Sequence, residues 1–242
     1  MSLPLEGKIA LVTGASRGIG YAAAKAYAQA GAHVIAVART VGGLEDLDDE
    51  IKSLGGSTTL VPLDLKDGDG IDALGGAIYE RWGKLDILLG NAGILGSVTP
   101  VGHISPKEFD DVMAINVTAN WRLIRSLDPL LRQSDNGRVL FVSSGAARNR
   151  RPFWSAYSMS KSALETMAIT YAKETKETSI KTILINPGRL RTAMRAKAVP
   201  GEDPSTLQTP SELAPHLVEL SSDTLQQSGV LWDFPSKSFV EL

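Results

Sequence analysis

The sequence predicts a single α/β domain built on a doubly wound, seven-stranded parallel sheet with helices on both faces. Short, mostly unbroken apolar runs alternate with longer helical stretches along the chain, and such runs are typical of strands that helices cover on both sides. The 242 residues, 43% of them hydrophobic and 21% charged, fit one large domain. We therefore expect one domain over residues 1–242, with right-handed crossovers between its strands.

The elements follow from this alternation in order. The seven predicted strands are residues 8–13, 33–38, 58–62, 85–90, 138–143, 181–186 and 230–234. Helices are predicted between them, near residues 19–30, 44–54, 69–82, 107–132, 156–177 and 211–221. One long segment, 188–210, has no regular pattern and has the length of a lid or a binding loop.

The first strand leads directly into a glycine-rich loop, residues 13–20, which opens the first helix. Glycines at such a junction let the backbone turn tightly and approach a pyrophosphate, which the free amides and dipole of the helix start attract. The alternative is an ordinary tight turn, but the strand–loop–helix context favours a dinucleotide site in a Rossmann fold. The loop residues expected at the cofactor are Gly14, Ser16, Arg17, Gly18, Ile19 and Gly20.

A second motif, Tyr157-x-x-x-Lys161, indicates acid–base chemistry, and Ser144 lies thirteen residues before it. A phenol has a pKa near 10, which must fall by about three units for proton transfer near neutrality. A lysine four residues later lies one helical turn away, and its charge at about 4–5 Å would supply roughly 3–4 kcal/mol. Ser144 would hold a carbonyl or alcohol oxygen beside the tyrosine. In isolation such a pair also occurs by chance.

Six motifs together resemble the classical short-chain dehydrogenases/reductases. In order they are Thr13-Gly14-x-x-x-Gly18-x-Gly20, Asn91-Ala92-Gly93, Asn116, Ser144, Tyr157-x-x-x-Lys161 and Pro187-Gly188-x-x-x-Thr192. The resemblance spans about residues 8–234. It implies an enzyme that transfers a hydride between a nicotinamide cofactor and a carbonyl or alcohol substrate, with the hydride belonging to the cofactor.

The resemblance also implies a role for each matching residue. Tyr157 would be the general acid/base, Lys161 its activator and a ribose ligand, and Ser144 the group that orients the substrate oxygen. Asn116 would offer its backbone carbonyl to a water that connects to the lysine. The family more often has a second asparagine where this chain has Gly90, a change expected to alter local rigidity more than chemistry.

Further cofactor contacts follow from the same resemblance. Asp64, with Leu65, would bind the adenine amino group, and Thr192 would contact the carboxamide. Beyond the glycine loop, the expected cofactor-binding residues are Arg39, Asp64, Leu65, Asn91, Ala92, Gly93, Tyr157, Lys161, Pro187, Gly188 and Thr192.

The end of the second strand favours NADP(H) over NAD(H). An NAD-specific site has an acidic residue about 20 residues past the glycines, whereas this chain has Ala38 followed by Arg39. Arg39 and Arg17 supply two guanidinium groups, whose geometry matches a phosphate. NAD(H) remains the alternative if Arg39 stacks on adenine or faces water.

Basic and aromatic residues are concentrated in two segments that border the substrate pocket in the resembled family. The first segment contains Arg148, Arg150, Arg151, Phe153 and Trp154, and the second contains Arg189, Arg191, Arg195 and Lys197. Such a rim favours a substrate with an anionic part, for example a carrier-linked or CoA-linked acyl chain. Alternatively, several of these charges are solvated and unrelated to the substrate.

The carboxyl end departs from the family, because Trp232-Asp233-Phe234-Pro235 follows where many relatives have a glycine pair. Trp232, Phe234 and Phe239 are expected to pack either against a neighbouring subunit or in the chain's own core. The resemblance implies a homotetramer or a homodimer.

Composition excludes several other functions. The chain has no cysteine and three scattered histidines, so disulfides and thiolate catalysis are excluded and no metal site is expected. A net charge of −2 without basic blocks argues against nucleic-acid binding. No stretch could cross a membrane, and a cytoplasmic protein is the default. Two alternatives to the reductase are a cofactor-binding sensor or scaffold with little turnover and a sugar-nucleotide epimerase or dehydratase.

Overall fold

The computed structural model describes residues 3–242, and its strands form one continuous sheet. The strands are β1 (Ile9–Thr13), β2 (His33–Ala38), β3 (Ser57–Pro62), β4 (Ile87–Gly90), β5 (Arg138–Val142), β6 (Lys181–Asn186), β7 (Val230–Asp233) and β8 (Ser238–Val240). Their order across the sheet is β3-β2-β1-β4-β5-β6-β7-β8, and all neighbours are parallel except β7 and β8. The strand order reverses between β1 and β4, which is where ligands bind in doubly wound sheets.

Helices connect the parallel strands. They are α1 (Gly18–Gln29), α2 (Val41–Ser53), α3 (Gly68–Trp82), α4 (Pro106–Met113), α5 (Ala119–Leu131), α6 (Ala146–Asn149), α7 (Ser155–Glu174), α8 (Ala193–Ala198) and α9 (Pro210–Leu220). Short 3₁₀ turns cover Val101–His103 and Pro204–Thr206, and a π turn covers Ala114–Thr118.

Both faces of the central strands are buried under helices, as their apolar sequences predicted. Successive side chains of a strand point to opposite faces. Val12 of β1 therefore joins a core cluster with Leu44 of α2 and Leu213 of α9, while Leu11 joins a second cluster with Leu123 of α5. Each fully buried leucine contributes about 1.5–3 kcal/mol, so two-sided burial makes the sheet a rigid base for the loops at its carboxyl edge.

The sheet has one strand more than the seven predicted, and that strand is antiparallel. β8 folds back on β7, which places Phe239 opposite Trp232. Its three residues are all exposed, and so short a strand lacks the apolar run by which sequence patterns distinguish a strand from a tail. Trp232 and Phe234 close the chain's own core, with 6% and 2% exposure, whereas Phe239 remains 38% exposed.

The helix predicted over residues 107–132 is in fact two helices, α4 and α5, joined by the π turn. A π turn inserts an extra residue into a helix, is rare, and often occurs at functional sites. Asn116 lies inside it and is fully buried. Apolar periodicity did not reveal the turn because the same helical path continues on both sides of it.

The segment 188–210 was predicted to be irregular but contains α8 and a 3₁₀ turn. Thr192 caps α8, because its side chain accepts a hydrogen bond from the Arg195 amide at 3.2 Å. A bridge between Leu190 and Gln208 closes the base of the segment. A six-residue helix is too short for hydrophobic periodicity to predict.

Two kinds of feature are absent from residues 3–242, a membrane-spanning helix and a cluster of metal ligands. Every helix in this part of the chain is too short or too polar to cross a bilayer. Within the same residues, no group of three or more histidine, aspartate or glutamate side chains is arranged to hold a metal ion.

Candidate active site

The loops that follow β1 and β4 are joined by hydrogen bonds where the strand order reverses. The backbone amides of Asn91 and Ala92 donate to Thr13 Oγ1 at 3.0 and 3.1 Å. The Asn91 side-chain amide also donates to the Thr13 carbonyl oxygen at 2.8 Å. These three bonds bring the segment 91–93 beside the glycine-rich loop, and together the two loops line the crevice.

The glycine-rich loop has the shape that a pyrophosphate requires. Gly14 and Gly18 have φ values of 68° and 61°, which favour glycine because a Cβ is strained there. A Cβ on Gly20 would lie 2.3 Å from the Gly14 carbonyl oxygen, so only glycine lets helix and loop approach so closely. α1 begins at Gly18 without a side-chain cap, and an uncapped helix start attracts anions. The residues present therefore fit a dinucleotide.

The far end of the crevice is positively charged. Arg17 and Arg39 are both exposed, and Arg39 Nη1 lies 3.7 Å from a carboxylate oxygen of Asp64. α2 starts two residues after Arg39 with no side-chain cap and no acid in its first turn. A Cβ on Gly43 would lie 2.8 Å from the Ser16 carbonyl oxygen, so the start of α2 packs against the glycine-rich loop.

Two of the predicted cofactor residues direct their side chains into the core. Ile19 packs against the cluster on the α1 face of the sheet, and Leu65 packs against the cluster on the opposite face. They can offer only backbone groups to a ligand.

The segment after β6 faces the glycine-rich loop from the other side of the crevice. Gly188 has a φ of 67° and follows the partly buried Pro187. Pro235 packs so closely that a Cβ on Gly188 would lie 2.6 Å from its ring. A Cβ on Gly18 would lie 3.8 Å from the Thr192 methyl group. The unusual carboxyl end thus supports the loop in which the nicotinamide contacts were predicted.

Tyr157 lies in an apolar pocket at the start of α7. It is 8% exposed and packs with Leu95 and Ala146, while Trp154 approaches it edge-on, with a ring-centroid distance of 6.2 Å. Burial raises the pKa of Tyr157 to about 12, although a hydrogen bond with Ser144 acts in the opposite direction. The phenol therefore carries its proton at neutral pH.

Lys161 is buried one turn further along α7, with 3% exposure. Its Nζ donates to the Val142 carbonyl oxygen at 2.7 Å and lies 5.8 Å from the centroid of the Tyr157 ring. Burial lowers the pKa of Lys161 to about 8, and the charge of Glu165 opposes that change. The expected lowering of the tyrosine pKa by this lysine is not observed. Burial of the phenol is the largest influence on its pKa, and the ammonium is directed to the Val142 carbonyl.

Asn116 connects three segments of the site. Its Oδ1 accepts from the Ile94 amide at 2.8 Å, and its Nδ2 donates to the Ile94 carbonyl at 2.9 Å and to Ser160 Oγ at 2.9 Å. A Cβ on Gly93 would lie 3.2 Å from Asn116 Oδ1 and 3.6 Å from Lys161 Nζ. The asparagine and the lysine therefore share one end of the crevice, and the water expected at the Asn116 carbonyl stays a prediction.

The glycine at position 90 has a steric reason that the sequence did not reveal. A Cβ there would lie 2.4 Å from the Phe141 ring and 2.6 Å from Asn120 Oδ1. Asn120 is 3% exposed, and its Nδ2 donates to the Asn116 carbonyl at 2.9 Å. A side chain from α5 thus supplies a hydrogen bond to the Asn116 carbonyl.

Sequence reasoning also missed Glu165, a carboxylate that is only 7% exposed. It accepts hydrogen bonds from Ser143 Oγ and from Arg148, each at 2.5 Å. Its position four residues after Lys161 is the signal that could have indicated it, since residues i and i+4 face the same side of a helix.

The basic rim is smaller in the structure than in the sequence. Carboxylates engage three of its arginines, because Arg148 pairs with Glu165 while Arg195 and Arg189 both pair with Glu202. Arg191 donates to the Leu207 carbonyl at 3.4 Å. The remaining rim cations, for which residues 3–242 provide no carboxylate partner, are the exposed side chains Arg150, Arg151 and Lys197.

The contact between Gly20 and Gly14 gives a test of the dinucleotide site. We expect Gly20→Ala to weaken NADPH binding at least about tenfold, equivalent to 1.4 kcal/mol, because the new methyl group must displace the loop backbone. NADPH fluorescence titration measures this change. Gly76→Ala is the matched control, since nothing lies within 4 Å of the added Cβ in α3. The control should bind normally and unfold at a slightly higher temperature. Equal NADPH affinity in both variants would contradict the assignment.

Comparison with known proteins identifies the same family that the sequence motifs resemble. The profile of the short chain dehydrogenase family matches residues 8–203. The oxidoreductase YciK of Escherichia coli (strain K12) is 39% identical over 233 residues, which cover 95% of this chain and 92% of that protein. The fatty acyl-CoA reductase of Acinetobacter baylyi is 35% identical over 238 residues, which cover 91% of this chain and 80% of that protein.

A solved structure extends the comparison to three dimensions. A short-chain dehydrogenase from Shigella flexneri 2a, crystallised with NADP, superposes with a TM-score of 0.92 at 39% identity. The match covers 96% of this chain and 99% of the other. The chain therefore belongs to the short-chain dehydrogenase family and is an NAD(P)-dependent oxidoreductase with that family's single-domain fold.

Proposed function

We propose that this protein is an NADP(H)-dependent reductase that converts a carbonyl compound to an alcohol, or catalyses the reverse reaction. The observation that carries the proposal is the position of Tyr157, which lies beside Ser144 in an apolar pocket next to the dinucleotide crevice. The alternatives of a sensor or scaffold with little turnover, and of an NAD(H)-preferring enzyme, are outcomes of the tests below.

The chain's own residues perform the proton half of the reaction. Bound NADPH would supply the hydride to the carbonyl carbon. Ser144 and Tyr157 hold the carbonyl oxygen, and the Tyr157 Oη–H bond breaks as its proton passes to that oxygen. Lys161, while protonated, stabilises the phenolate that remains. Since burial lowers the pKa of Lys161 to about 8, activity should fall as the pH rises through that value.

The cofactor preference rests on the positive end of the crevice. Arg17 and Arg39 are exposed there, and the uncapped start of α2 adds a partial positive charge. An arginine can match the geometry of a 2′-phosphate, and the Shigella flexneri relative was crystallised with NADP. On the nicotinamide side, Thr192 and the backbone at Gly188 would hold the carboxamide, and near the adenine Asp64 would accept from the amino group once Arg39 turns to the phosphate.

The substrate pocket favours a chain that is apolar near the carbonyl and anionic further away. Leu95, Trp154 and Met194 surround Tyr157, while Arg150 and Arg151 are exposed outside that pocket. The Acinetobacter baylyi relative is a fatty acyl-CoA reductase. An acyl group linked to CoA or to a carrier has both features, because the acyl chain is apolar and the carrier arm is phosphorylated.

We also propose that the protein is a homodimer or homotetramer that pairs through a groove between α5 and α7. The groove is lined by Trp121, Ile124, Arg125, Met167, Thr170, Tyr171 and Glu174. Trp121 is 49% exposed, and tryptophan is enriched at the centres of protein–protein interfaces. Arg125 and Glu174 in the same groove provide opposite charges, which a second copy related by a two-fold axis would match.

Tyr157→Phe tests the reaction mechanism. We expect kcat for NADPH-dependent reduction to fall by about 10²–10⁴, the usual contribution of a general acid, while the Kd for NADPH changes less than about twofold. Activity is measured over a panel of ketones, quinones, 3-oxoacyl thioesters and sugars. Tyr79→Phe, at an exposed position on α3, is the control. Unchanged turnover by the Tyr157 variant would refute the mechanism, and no turnover by the unmodified protein would support the sensor alternative.

Arg39→Ala tests the cofactor preference. We expect NADPH affinity to fall at least about tenfold, because a charge-assisted contact to the 2′-phosphate is worth about 1.5–3 kcal/mol, while NADH affinity changes little. Isothermal titration with both nucleotides measures the difference. The control is Lys176→Ala, an exposed cation beyond the end of α7. If the unmodified protein bound NADH more tightly than NADPH, the proposed preference would be wrong.

Trp121→Glu tests the proposed pairing groove. A glutamate in the centre of a dimer contact places an unpaired charge there. The variant should therefore be a monomer if the unmodified protein is a dimer, and a dimer if the unmodified protein is a tetramer with a second kind of contact. Light scattering after size-exclusion chromatography measures the mass. Tyr79→Glu, on a surface outside the groove, should leave the mass unchanged. A monomeric unmodified protein, or a Trp121→Glu variant whose mass is the same as that of the unmodified protein, would contradict the proposal.

A further inference from the structure

Glu165 is a buried carboxylate to which the proposed reaction assigns no part. A buried charge is costly unless partners satisfy it, and this one has two. Ser143 Oγ and Arg148 Nη1 both donate to its Oε1 atom at 2.5 Å. The side chains of Glu165 and Arg148 are 10% and 34% exposed, respectively, so the pair is shielded from water on the carboxylate side.

The partners of Glu165 belong to the segment that carries the catalytic serine. Ser143 immediately precedes Ser144, and Arg148 lies in α6, which follows it. Glu165 itself lies on α7, one turn beyond Lys161. Two bonds from one carboxylate oxygen therefore attach the start of the Ser144 segment and the helix after it to the helix that carries Tyr157 and Lys161.

A second contact holds the same segment from the opposite side. The amide of Gly145 donates to Asn186 Oδ1 at 3.0 Å, and Asn186 Nδ2 donates to Asp233 at 2.6 Å. Ser144 thus lies between an anchor on α7 and an anchor on β6. Of these anchors, the one through Glu165 also carries a charge next to the lysine.

The charges around Lys161 make that position electrostatically important. Tyr157 and Glu165 lie on the same helix as the lysine, and Arg148 of α6 pairs with Glu165. The charge of Arg148 also contributes to the lowered pKa of Asp233 on β7. The residues that approach from the β4 loop and the π turn, Gly93 and Asn116, are uncharged. Glu165 is thus the carboxylate whose charge acts on the buried ammonium, four residues earlier on the same helix, and Arg148 partly neutralises that carboxylate.

We propose that Glu165 is a positioning residue, whose carboxylate keeps the Lys161 ammonium charged and whose bonds to Ser143 and Arg148 fix the Ser144 segment. The strength of the effect is set by Arg148, because its positive charge offsets part of the negative charge that Lys161 experiences. The consequence for turnover rests on the proposed function of Tyr157 and Lys161, whereas the consequence for the lysine's protonation does not.

Two substitutions should move the protonation of Lys161 in opposite directions. Glu165→Gln keeps an acceptor for Ser143 and Arg148 but removes the charge, so the midpoint of the Lys161 titration should fall. Arg148→Met removes the offsetting cation, so the midpoint should rise. Arg148→Lys, which restores the charge, should return it towards the unmodified value. A merely structural role would lower stability without this opposition of sign.

The titration is read directly by NMR of protein labelled with ¹³C at lysine Cε, with the Lys161 resonance identified by its loss in Lys161→Arg. Glu177→Gln, an exposed carboxylate beyond α7, is the control and should leave the midpoint unchanged. Thermal unfolding checks that each variant is folded. If Arg148→Met does not fold, Arg148→Gln replaces it, because it can still donate a hydrogen bond to Glu165.

The pH dependence of kcat separates this inference from the proposed function. With the best carbonyl compound of the panel, the fall in kcat at alkaline pH should shift down in Glu165→Gln and up in Arg148→Met. The inference would be overturned if the midpoints of both variants equalled that of the unmodified protein, or if both moved in the same direction. If the NMR midpoints of Lys161 move as expected but the protein shows no turnover, the inference is supported and the proposed reductase activity is refuted.

Discussion

The crevice of this protein depends on the hydrogen bonds that join Thr13 to Asn91 and Ala92. The sheet brings the ends of β1 and β4 side by side, but the loops after them have few apolar side chains with which to hold each other. Three bonds of 2.8–3.1 Å, each worth about 1 kcal/mol, fix the glycine-rich loop against segment 91–93. The start of α1 and the segment 91–93, which lies beside Asn116 and Lys161, are both held at this junction.

Burial determines the protonation of Tyr157 and Lys161, because it disfavours the charged form of each side chain. Taking a phenol or an ammonium out of water disfavours the charged form of each, which is why the pKa of Tyr157 rises to about 12 and that of Lys161 falls to about 8. The structure counters the second effect with a buried carboxylate on the next turn of α7. Burial alone therefore keeps the phenol protonated, whereas the ammonium needs the charge of Glu165 to oppose the effect of burial.

The sequence predicted those features whose cause is local. Three such features are the glycines of the first loop, the spacing of Tyr157 and Lys161 and the apolar strands. Each depends on residues that are close in the chain, and each lies in the structure where it was predicted. Features that depend on contacts across the fold were missed. Glu165 is stabilised in the interior by hydrogen bonds from Ser143 and Arg148, which lie on another segment. β8 is a strand only because it pairs with β7. The expected pKa of Tyr157 was wrong in direction because the Coulomb argument contained a charge but no burial.

The tight contact between positions 90 and 120 has an evolutionary consequence. A side chain on residue 90 and the present side chain on residue 120 would occupy the same volume, since a Cβ on Gly90 lies 2.6 Å from Asn120 Oδ1. The two positions are therefore epistatic: an asparagine at 90 requires a smaller residue at 120 and a displaced Phe141 ring. Exchange of the residue at either position is therefore constrained by the residue at the other.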